Sequence, residues 1–374
     1  MKLENLYTKV LDLEPLNCSE GMELFQKAPV NELFSLAQRL RYIHNPESKV
    51  SWQIDRNVNY TNICISGCIF CNFHCNISQK EKSYTITESQ LEEKITELRK
   101  LGGDQLLLQG GLHPEYDISY YEELFRKIKA IDPLIKLNAL GPPEIAHIAQ
   151  LSNLSIKETL VRLSLAGLDT LPGAGAEILS NRVRKIISPA KPGVESWIEV
   201  MEEAHKLHIS TTATMVYGHI ETLEERIEHL IIIRDIQNRK PAEAPGFRAF
   251  ISWPMQTAET KLAEKFKLRK LSLIEHLKMV AISRIILNNV DHIQVSWLTI
   301  GKQAGMVALH CGADDMGSIM IEENVVSSAG ANNSMNAAEM QKAIKEAGFD
   351  PWLRNQDYTP VKKHNQCPQE DLDS

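Results

Sequence analysis

The chain has 374 residues, 43% of them apolar and 24% charged, with a formal net charge of −7. That size suits one barrel-sized domain with extensions or two mid-sized domains, and argues against a largely disordered chain. The acidic balance argues against sequence-independent nucleic-acid binding, which needs clustered Lys and Arg. No apolar run is long enough to span a membrane. Met1–Leu13 lacks the apolar core of a signal peptide. Four of the seven cysteines crowd into Cys64–Cys75, which favours metal binding over disulfides in the reducing cytoplasm expected for this protein.

Taken in chain order, the first forty-odd residues read as a helical cap. Apolar residues recur at three- and four-residue spacing over Ser19–Gln26 and Val30–Ile43. Lys49–Tyr60 alternates as a first strand. Thr87–Leu101 is a helix with Thr87 as N-cap and Gln90 completing a capping box, stopped by Gly102 and Gly103. Strands are expected at Gln105–Gln109, Ile135–Leu140, Leu168–Leu171, Ser210–Tyr217, Phe247–Trp253, His292–Trp297 and Ala313–Met320. Between them fall helices at Tyr120–Ile131, after Pro142–Pro143, and at Ser155–Ala166, Glu195–Leu207, Leu223–Gln237 and Leu271–Leu287. Met335–Ala347 is a last helix before a polar tail. The basic stretch Lys261–Lys270, interrupted by Glu264, reads as a solvated helix face.

Such alternation predicts an α/β fold, a (β/α) TIM-type barrel that is full or nearly closed, with N- and C-terminal helical extensions. The expected units are residues 1–48 as the N-terminal extension, 49–330 as the barrel and 331–374 as the C-terminal helix and tail. A doubly wound open sheet is the alternative.

Chemistry concentrates in Cys64-Ile65-Ser66-Gly67-Cys68-Ile69-Phe70-Cys71, just after the first strand. Three thiolates spaced C-x3-C-x2-C can hold three irons of a [4Fe–4S] cluster and leave the fourth iron open to another ligand. Cys75 and His74 extend the array, so a structural zinc site on a non-catalytic protein is the rival reading. Zinc ribbons use two pairs separated by a longer loop, which this stretch lacks. Cys18, Cys311 and Cys367 read as small hydrophobes or surface thiols.

Further candidates sit at strand ends, where β/α barrels build their sites. Gly110 and Gly111 follow the second strand and allow close backbone approach, or simply a tight turn. Glu177 follows the fourth strand and could bond a ribose, or stand as a loop carboxylate. Gly218 and Glu221 follow the fifth, where Glu221 could be a first-turn carboxylate favoured by the helix dipole.

The cysteine spacing, with Phe70 before the third cysteine, resembles the radical S-adenosylmethionine (radical SAM) superfamily. Asn59-Tyr60-Thr61-Asn62, Gln109–Pro114, Pro142-Pro143-Glu144, Gly175–Leu179, Thr212–Met215 with Gly218–Glu221, Ser296-Trp297 and Met320–Ser327 resemble its menaquinone and deazaflavin branch. The resemblance runs roughly from Val50 to Tyr358 and is nearest to the cyclases of the futalosine route. Aminofutalosine synthase and the deazaflavin-forming synthase are the alternatives. One departure is Lys136–Gly141, which lacks the histidines that such enzymes carry before Pro-Pro-Glu.

The resemblance implies a [4Fe–4S] cluster on Cys64, Cys68 and Cys71, with SAM bound at the open iron. Phe70, Gly110, Gly111, Glu177, Gly218 and Glu221 would contact the cofactor. SAM would be cleaved to a 5′-deoxyadenosyl radical by an electron from a donor such as flavodoxin or ferredoxin. The implied substrate is dehypoxanthine futalosine. Its ribose would lose a hydrogen at C4′ to that radical and close onto the carboxylated aromatic ring, and loss of an electron and a proton would restore aromaticity, to give a spiro product on the way to menaquinone. Such chemistry needs a dry pocket, a carboxylate clamp and a base. Trp253 and Trp297 could line the pocket. His113 and His219 are expected bases, with Glu322 and Glu323 as alternatives.

Overall fold

The computed structural model describes residues 2–79, 81–330 and 333–361. Cys367 and the end of the expected polar tail lie outside the described residues. Ten strands form one parallel sheet: β1 (Lys49–Gln53), β2 (Asp55–Asn59), β3 (Gln105–Gln109), β4 (Lys136–Ala139), β5 (Thr170–Leu171), β6 (Ser210–Tyr217), β7 (Phe247–Pro254), β8 (His292–Gln294), β9 (Asp315–Ser318) and β10 (Asp350–Leu353). Their order is β10-β1-β9-β8-β7-β6-β5-β4-β3-β2.

The sheet curls into a nearly closed barrel. The segment leaving β9 crosses from one end of the sheet to the other. Ile319 N donates to the Gln53 carbonyl at 3.1 Å, then Ile321 N donates to Asp55 O and Asn57 N to Ile321 O, at 3.2 and 2.9 Å. This contact is possible because the expected single strand Lys49–Tyr60 breaks in two at Ile54. Its register against β9 shifts between Ser51 and Gln53, and the Ser318 hydroxyl accepts from Asp55 N at 3.2 Å. The chain thus turns from partners β9 and β10 on one side to β3 on the other.

Helices cover the outside because each presents an apolar stripe. Leu33, Leu36, Ala37 and Leu40 are buried on the helix Val30–His44, which packs against Leu273–Ile286. The Thr87–Gln90 capping box forms as expected, and Pro142 opens its helix at the first position, where a missing N–H costs little.

Several expectations are corrected. β8 ends at Gln294, and Trp297 begins a short helix, Trp297–Ile300. Its indole N–H is drawn to the Ser318 carbonyl at 3.1 Å. Lys261–Lys270 is helical only to Lys265. The helix Leu3–Leu11 falls within the expected helical cap, whereas the helices Asn181–Ile187 and Lys302–Ala308 and strand β10 were not anticipated. Among the described residues no helix is long and apolar enough to cross a membrane.

Candidate functional site

Period-two alternation on the strands sends one set of side chains outward and the other into the barrel. On β6, Ala213, Met215 and Tyr217 are fully buried, whereas Thr212, Thr214 and Val216 face an internal cavity of about 340 Å³. On β2 and β3 the inward set is polar: Asp55, Asn57, Gln105 and Gln109, with Leu107 between the last two. A barrel interior is ordinarily filled by branched apolar side chains, so this polar lining marks a binding chamber.

The cysteine loop lies at the mouth, where Phe70 and Cys71 line the cavity. Backbone bonds tie the loop down: Cys64 N to Cys75 O at 3.0 Å, Cys75 N to Asn62 O at 2.8 Å, Ile65 N to Leu112 O at 3.0 Å and Ile69 N to Ile187 O at 2.9 Å. The Ser66 hydroxyl sits between two thiols, 2.9 Å from Cys64 Sγ and 3.4 Å from Cys68 Sγ. Leu112 N donates to Cys64 Sγ at 3.3 Å. Burial pushes the Cys68 thiol up, and Lys191 opposes that.

This donor set fits a cluster better than a single ion. A tetrahedral zinc would draw its sulfurs to within about 4 Å of one another. Among the described residues the only group of three or more His, Cys, Asp or Glu whose ligand atoms lie within 4.8 Å of one another is Cys18, Glu224 and Glu228, away from this loop. Cys75 is turned aside. Its thiol points to Gln79 Oε1 at 3.4 Å, while its backbone pairs with the strand leading to Cys64.

Gly110 and Gly111 are needed for packing beneath this loop. A Cβ on Gly110 would lie 2.6 Å from the Tyr60 ring, and one on Gly111 would lie 2.1 Å from the Ile63 carbonyl. Gly111→Ala must therefore push the cysteine loop outward, at a cost of about 1–3 kcal/mol. The expected result is a lower melting temperature together with less iron retained after anaerobic reconstitution. An unchanged iron content would show that the loop tolerates the shift. Beside Gly110, Glu144 accepts from its N–H at 3.1 Å, from Tyr60 OH at 2.8 Å and from Gly141 N at 2.6 Å. Burial pushes Glu144 up to about 7, against those bonds.

Of the other residues singled out from the sequence, Glu177, Gly218, Glu221, His219, His113 and Glu322 lie outside the cavity lining. Glu177 is buried and paired with Lys191 at 2.7 Å and Arg184 at 3.3 Å. Glu221 accepts from Gly218 N at 2.6 Å and Arg226 Nε at 2.7 Å, and lies 3.0 Å from His219 Nδ1. Burial would raise its pKa, but His219 and Arg226 outweigh that and hold it at about 2. The His219 ring lies against Glu221 and bonds the Val216 carbonyl, 3.0 Å from Nε2. The His113 ring stacks on Tyr116 at 3.5 Å, and burial lowers its pKa.

Glu322 is ion-paired with Arg56 at 2.7 Å and with Lys94. Burial would raise its pKa, but these cations hold it low, and so it stays ionised and engaged. Trp297 is turned away, as described above. Trp253 and Glu323 do line the cavity, although the Glu323 carboxylate is used by the N–H groups of Val325, Val326 and Ser327.

The inner end of the cavity holds residues not singled out from the sequence: Gln53, Asp55, Gln105, Ser318, Arg354 and Tyr358. Burial raises Asp55 to about 6, opposed by the Ser318 hydroxyl, Arg354 and Gln105. Arg354 is the only cationic side chain among the residues lining the cavity. A sequence signal for part of this existed in the polar alternation Gln53, Asp55, Asn57, Asn59 along one strand. Arg354 and Tyr358 had none, because they reach the barrel only through β10.

Comparison with known proteins agrees with this architecture. Residues 58–231 match the radical SAM superfamily and residues 244–367 the CofH/MqnC C-terminal region. The chain is 42% identical over 356 residues to a cyclic dehypoxanthine futalosine synthase of Streptomyces coelicolor, across 95% of this chain and 88% of that protein. It is 40% identical over 337 residues to a 5-amino-6-(D-ribitylamino)uracil–L-tyrosine 4-hydroxyphenyl transferase of Methanosarcina barkeri, across 88% of this chain and 85% of that one. The crystal structure of methylornithine synthase (PylB) shares the fold, with a TM-score of 0.70 at 17% identity, over 92% of this chain and 97% of that chain. The cysteine loop at the barrel mouth, the chamber below it and these likenesses together place the chain in the radical SAM superfamily, within the family of cyclic dehypoxanthine futalosine synthases and the related 4-hydroxyphenyl transferases.

Proposed function

We propose that this protein is a radical SAM cyclase that converts dehypoxanthine futalosine to its cyclic product in the futalosine route to menaquinone. The observation that carries the reading is the 42% identity to a cyclic dehypoxanthine futalosine synthase over nearly the whole chain. Cys64, Cys68 and Cys71 would hold a [4Fe–4S] cluster at the cavity mouth. With SAM bound, that cluster would supply a hydrogen-abstracting radical at the expense of an electron from a flavodoxin- or ferredoxin-like donor.

The chain's own residues have separate tasks in this reading. Ser66 and Leu112 N hold the orientation of the cysteine thiolates through hydrogen bonds to sulfur. Gly110 and Gly111 keep the floor of the loop low. The apolar walls, Leu107, Val216, Ile251 and Trp253, exclude water from the reacting sugar.

Anaerobic incubation of the reconstituted enzyme with dithionite, SAM and dehypoxanthine futalosine tests the function. The expected outcome is 5′-deoxyadenosine together with a spiro product lighter than the substrate by two hydrogen atoms. If 5′-deoxyadenosine forms only with a different substrate, such as L-tyrosine together with 5-amino-6-(D-ribitylamino)uracil, the chain belongs with the transferases instead. A colourless protein with one tightly held zinc would overturn the radical reading altogether.

A further inference from the structure

The inner end of the cavity carries polar atoms that the protein leaves unsatisfied. Gln53 Nε2, Asn57 Oδ1, Gln105 Oε1, Gln356 Oε1 and Tyr358 OH are all buried without a hydrogen-bond partner, and all five residues line this one chamber. Buried polar groups are nearly always paired, and leaving one unpaired costs about 1–3 kcal/mol. Several in one chamber point to a ligand that completes them.

Their bonds to the protein settle which end of each amide is free. Gln53 Oε1 accepts from Arg354 Nη1 at 2.6 Å, so its NH2 is the unspent group. Gln105 Nε2 donates to Asp55 at 3.4 Å, so its oxygen is unspent. Asn57 Nδ2 donates to Asn59 Oδ1 at 3.4 Å, which also leaves the oxygen. The Tyr358 hydroxyl lies within reach of the Asp315 carboxylate but has no hydrogen bond of good geometry, and its ring lies under the Arg354 guanidinium at 3.9 Å.

Gln53 NH2 and Tyr358 OH are unspent donors where β1 and the segment after β10 meet, beside the Arg354 guanidinium, which already donates to Asp315, Gln53 and the Asn355 carbonyl; Gln356 Oε1, in the same segment, is an unspent acceptor. One pleat nearer the mouth are Asp55 and its register partner Gln105, then Asn57. The free oxygens of Gln105 and Asn57 are acceptors. Phe70 and Cys71 stand at the mouth. A carboxylate offers only acceptors and a sugar hydroxyl offers a donor. A ligand with a carboxylate at one end and hydroxyls toward the other can meet the donors Gln53 NH2 and Tyr358 OH with its carboxylate while its hydroxyls reach the Gln105 and Asn57 oxygens.

We propose that the substrate enters carboxylate first, with its carboxylate held by Gln53, Arg354 and Tyr358 and its sugar hydroxyls donating to Gln105 and Asn57. The proposal rests on the reading given under Proposed function, and it leaves the sugar as the part nearest the cysteine loop. Asp315 compensates most of the Arg354 charge, 2.8 Å from Nη2, so the neutral donors Gln53 and Tyr358 carry much of the selectivity for an acid over an amide.

The test compares dehypoxanthine futalosine, its carboxamide analogue and an analogue lacking one sugar hydroxyl. Each is titrated by anaerobic calorimetry into the reconstituted enzyme and assayed for KM. Wild type is expected to prefer the acid to the carboxamide by about tenfold or more, the value of a hydrogen bond to a charged group. In Tyr358→Phe and Gln53→Met that preference should shrink severalfold, while binding of the carboxamide itself changes little. Gln105→Leu should erase the preference for the full sugar and leave the acid-to-amide ratio intact.

An undiminished acid preference in both Tyr358→Phe and Gln53→Met overturns the assignment, as does its loss in Gln105→Leu alone. Tyr358→Phe removes one oxygen and keeps the stacked ring, so it remains informative if Gln53→Met fails to fold. A wild-type enzyme that neither binds nor turns over dehypoxanthine futalosine would instead overturn the cyclase reading, and that result is in hand before any variant is compared.

Discussion

Replacement of Cys64, Cys68 or Cys71 by serine, one at a time, is expected to lower 5′-deoxyadenosine formation by at least about a thousandfold, equivalent to about 4 kcal/mol at the barrier. The same change at Cys75 should leave the rate within about threefold of wild type, a difference under about 1 kcal/mol. The contrast follows from where the four thiols point. Cys64 and Cys68 share the Ser66 hydroxyl, Cys71 opens to the cavity, and Cys75 is engaged with Gln79. Iron and sulfide analysis after reconstitution, read beside the rate, separates loss of the cluster from loss of fold. A Cys75→Ser protein as iron-poor as the other three would make it a fourth ligand, and the open iron position would then have no basis.

The largest effect on stability is expected at the other end of the barrel. Asp314 is buried and accepts from Arg284 Nη2 at 2.6 Å, Ile293 N at 2.8 Å, Asn45 Nδ2 and, at 2.7 Å, His292 Nδ1. Arg284 is fully buried and also bonds the carbonyls of Gly312, Val290 and Asp291. This pair joins the cap helix, β8 and the start of β9. Asp314→Ala would leave the guanidinium buried without its carboxylate, at a cost of about 3–5 kcal/mol. The check is the denaturant midpoint at unchanged slope.

The pH dependence has a definite sign. Burial alone would raise Asp314, but Arg284 and His292 outweigh it and hold the folded value at about 2, below the ordinary carboxylate value of about 3.9. The unfolded chain therefore binds this proton first. The stabilisation is fully present above about pH 4 and is lost as the pH falls toward about 2. Wild type should lose stability through that window, and Asp314→Ala should lose less. Parallel acid curves for the two proteins would show that other carboxylates dominate.

Much of the architecture was legible before folding was considered. Strands such as Gln105–Gln109 and Ser210–Tyr217 fall where the apolar and β-branched runs put them, since these segments read the same locally as in the barrel. Helix starts with a chemical mark, Thr87 with Gln90 and Pro142 after Gly141, were equally plain. Unmarked or very short elements were not. The break at Ile54 follows from competition between two sets of strand partners, and no residue within Lys49–Tyr60 announces it.

The candidate site divides in the same way. The three cysteines were legible because ligand spacing within one loop is a local property of the chain. The expected bases were not placed correctly, since a histidine or glutamate near a strand end can turn inward or outward. His219 lies against Glu221, and Glu322 pairs with Arg56 and Lys94, because a buried or half-buried carboxylate is stabilised by the nearest polar or cationic groups. Arg354 and Tyr358 reach the cavity only after a tenth strand pairs with β1.

The sequence by itself thus determined the cluster loop, the alternation of strands and helices and the family. The tertiary structure alone decided that the Cys75 thiol turns to Gln79, and that Gln53, Arg354 and Tyr358 line one chamber. The physical reason is reach: cysteines a few residues apart meet whatever the fold, whereas Gln53 and Arg354 meet only when the sheet curls and the chain's end closes its base.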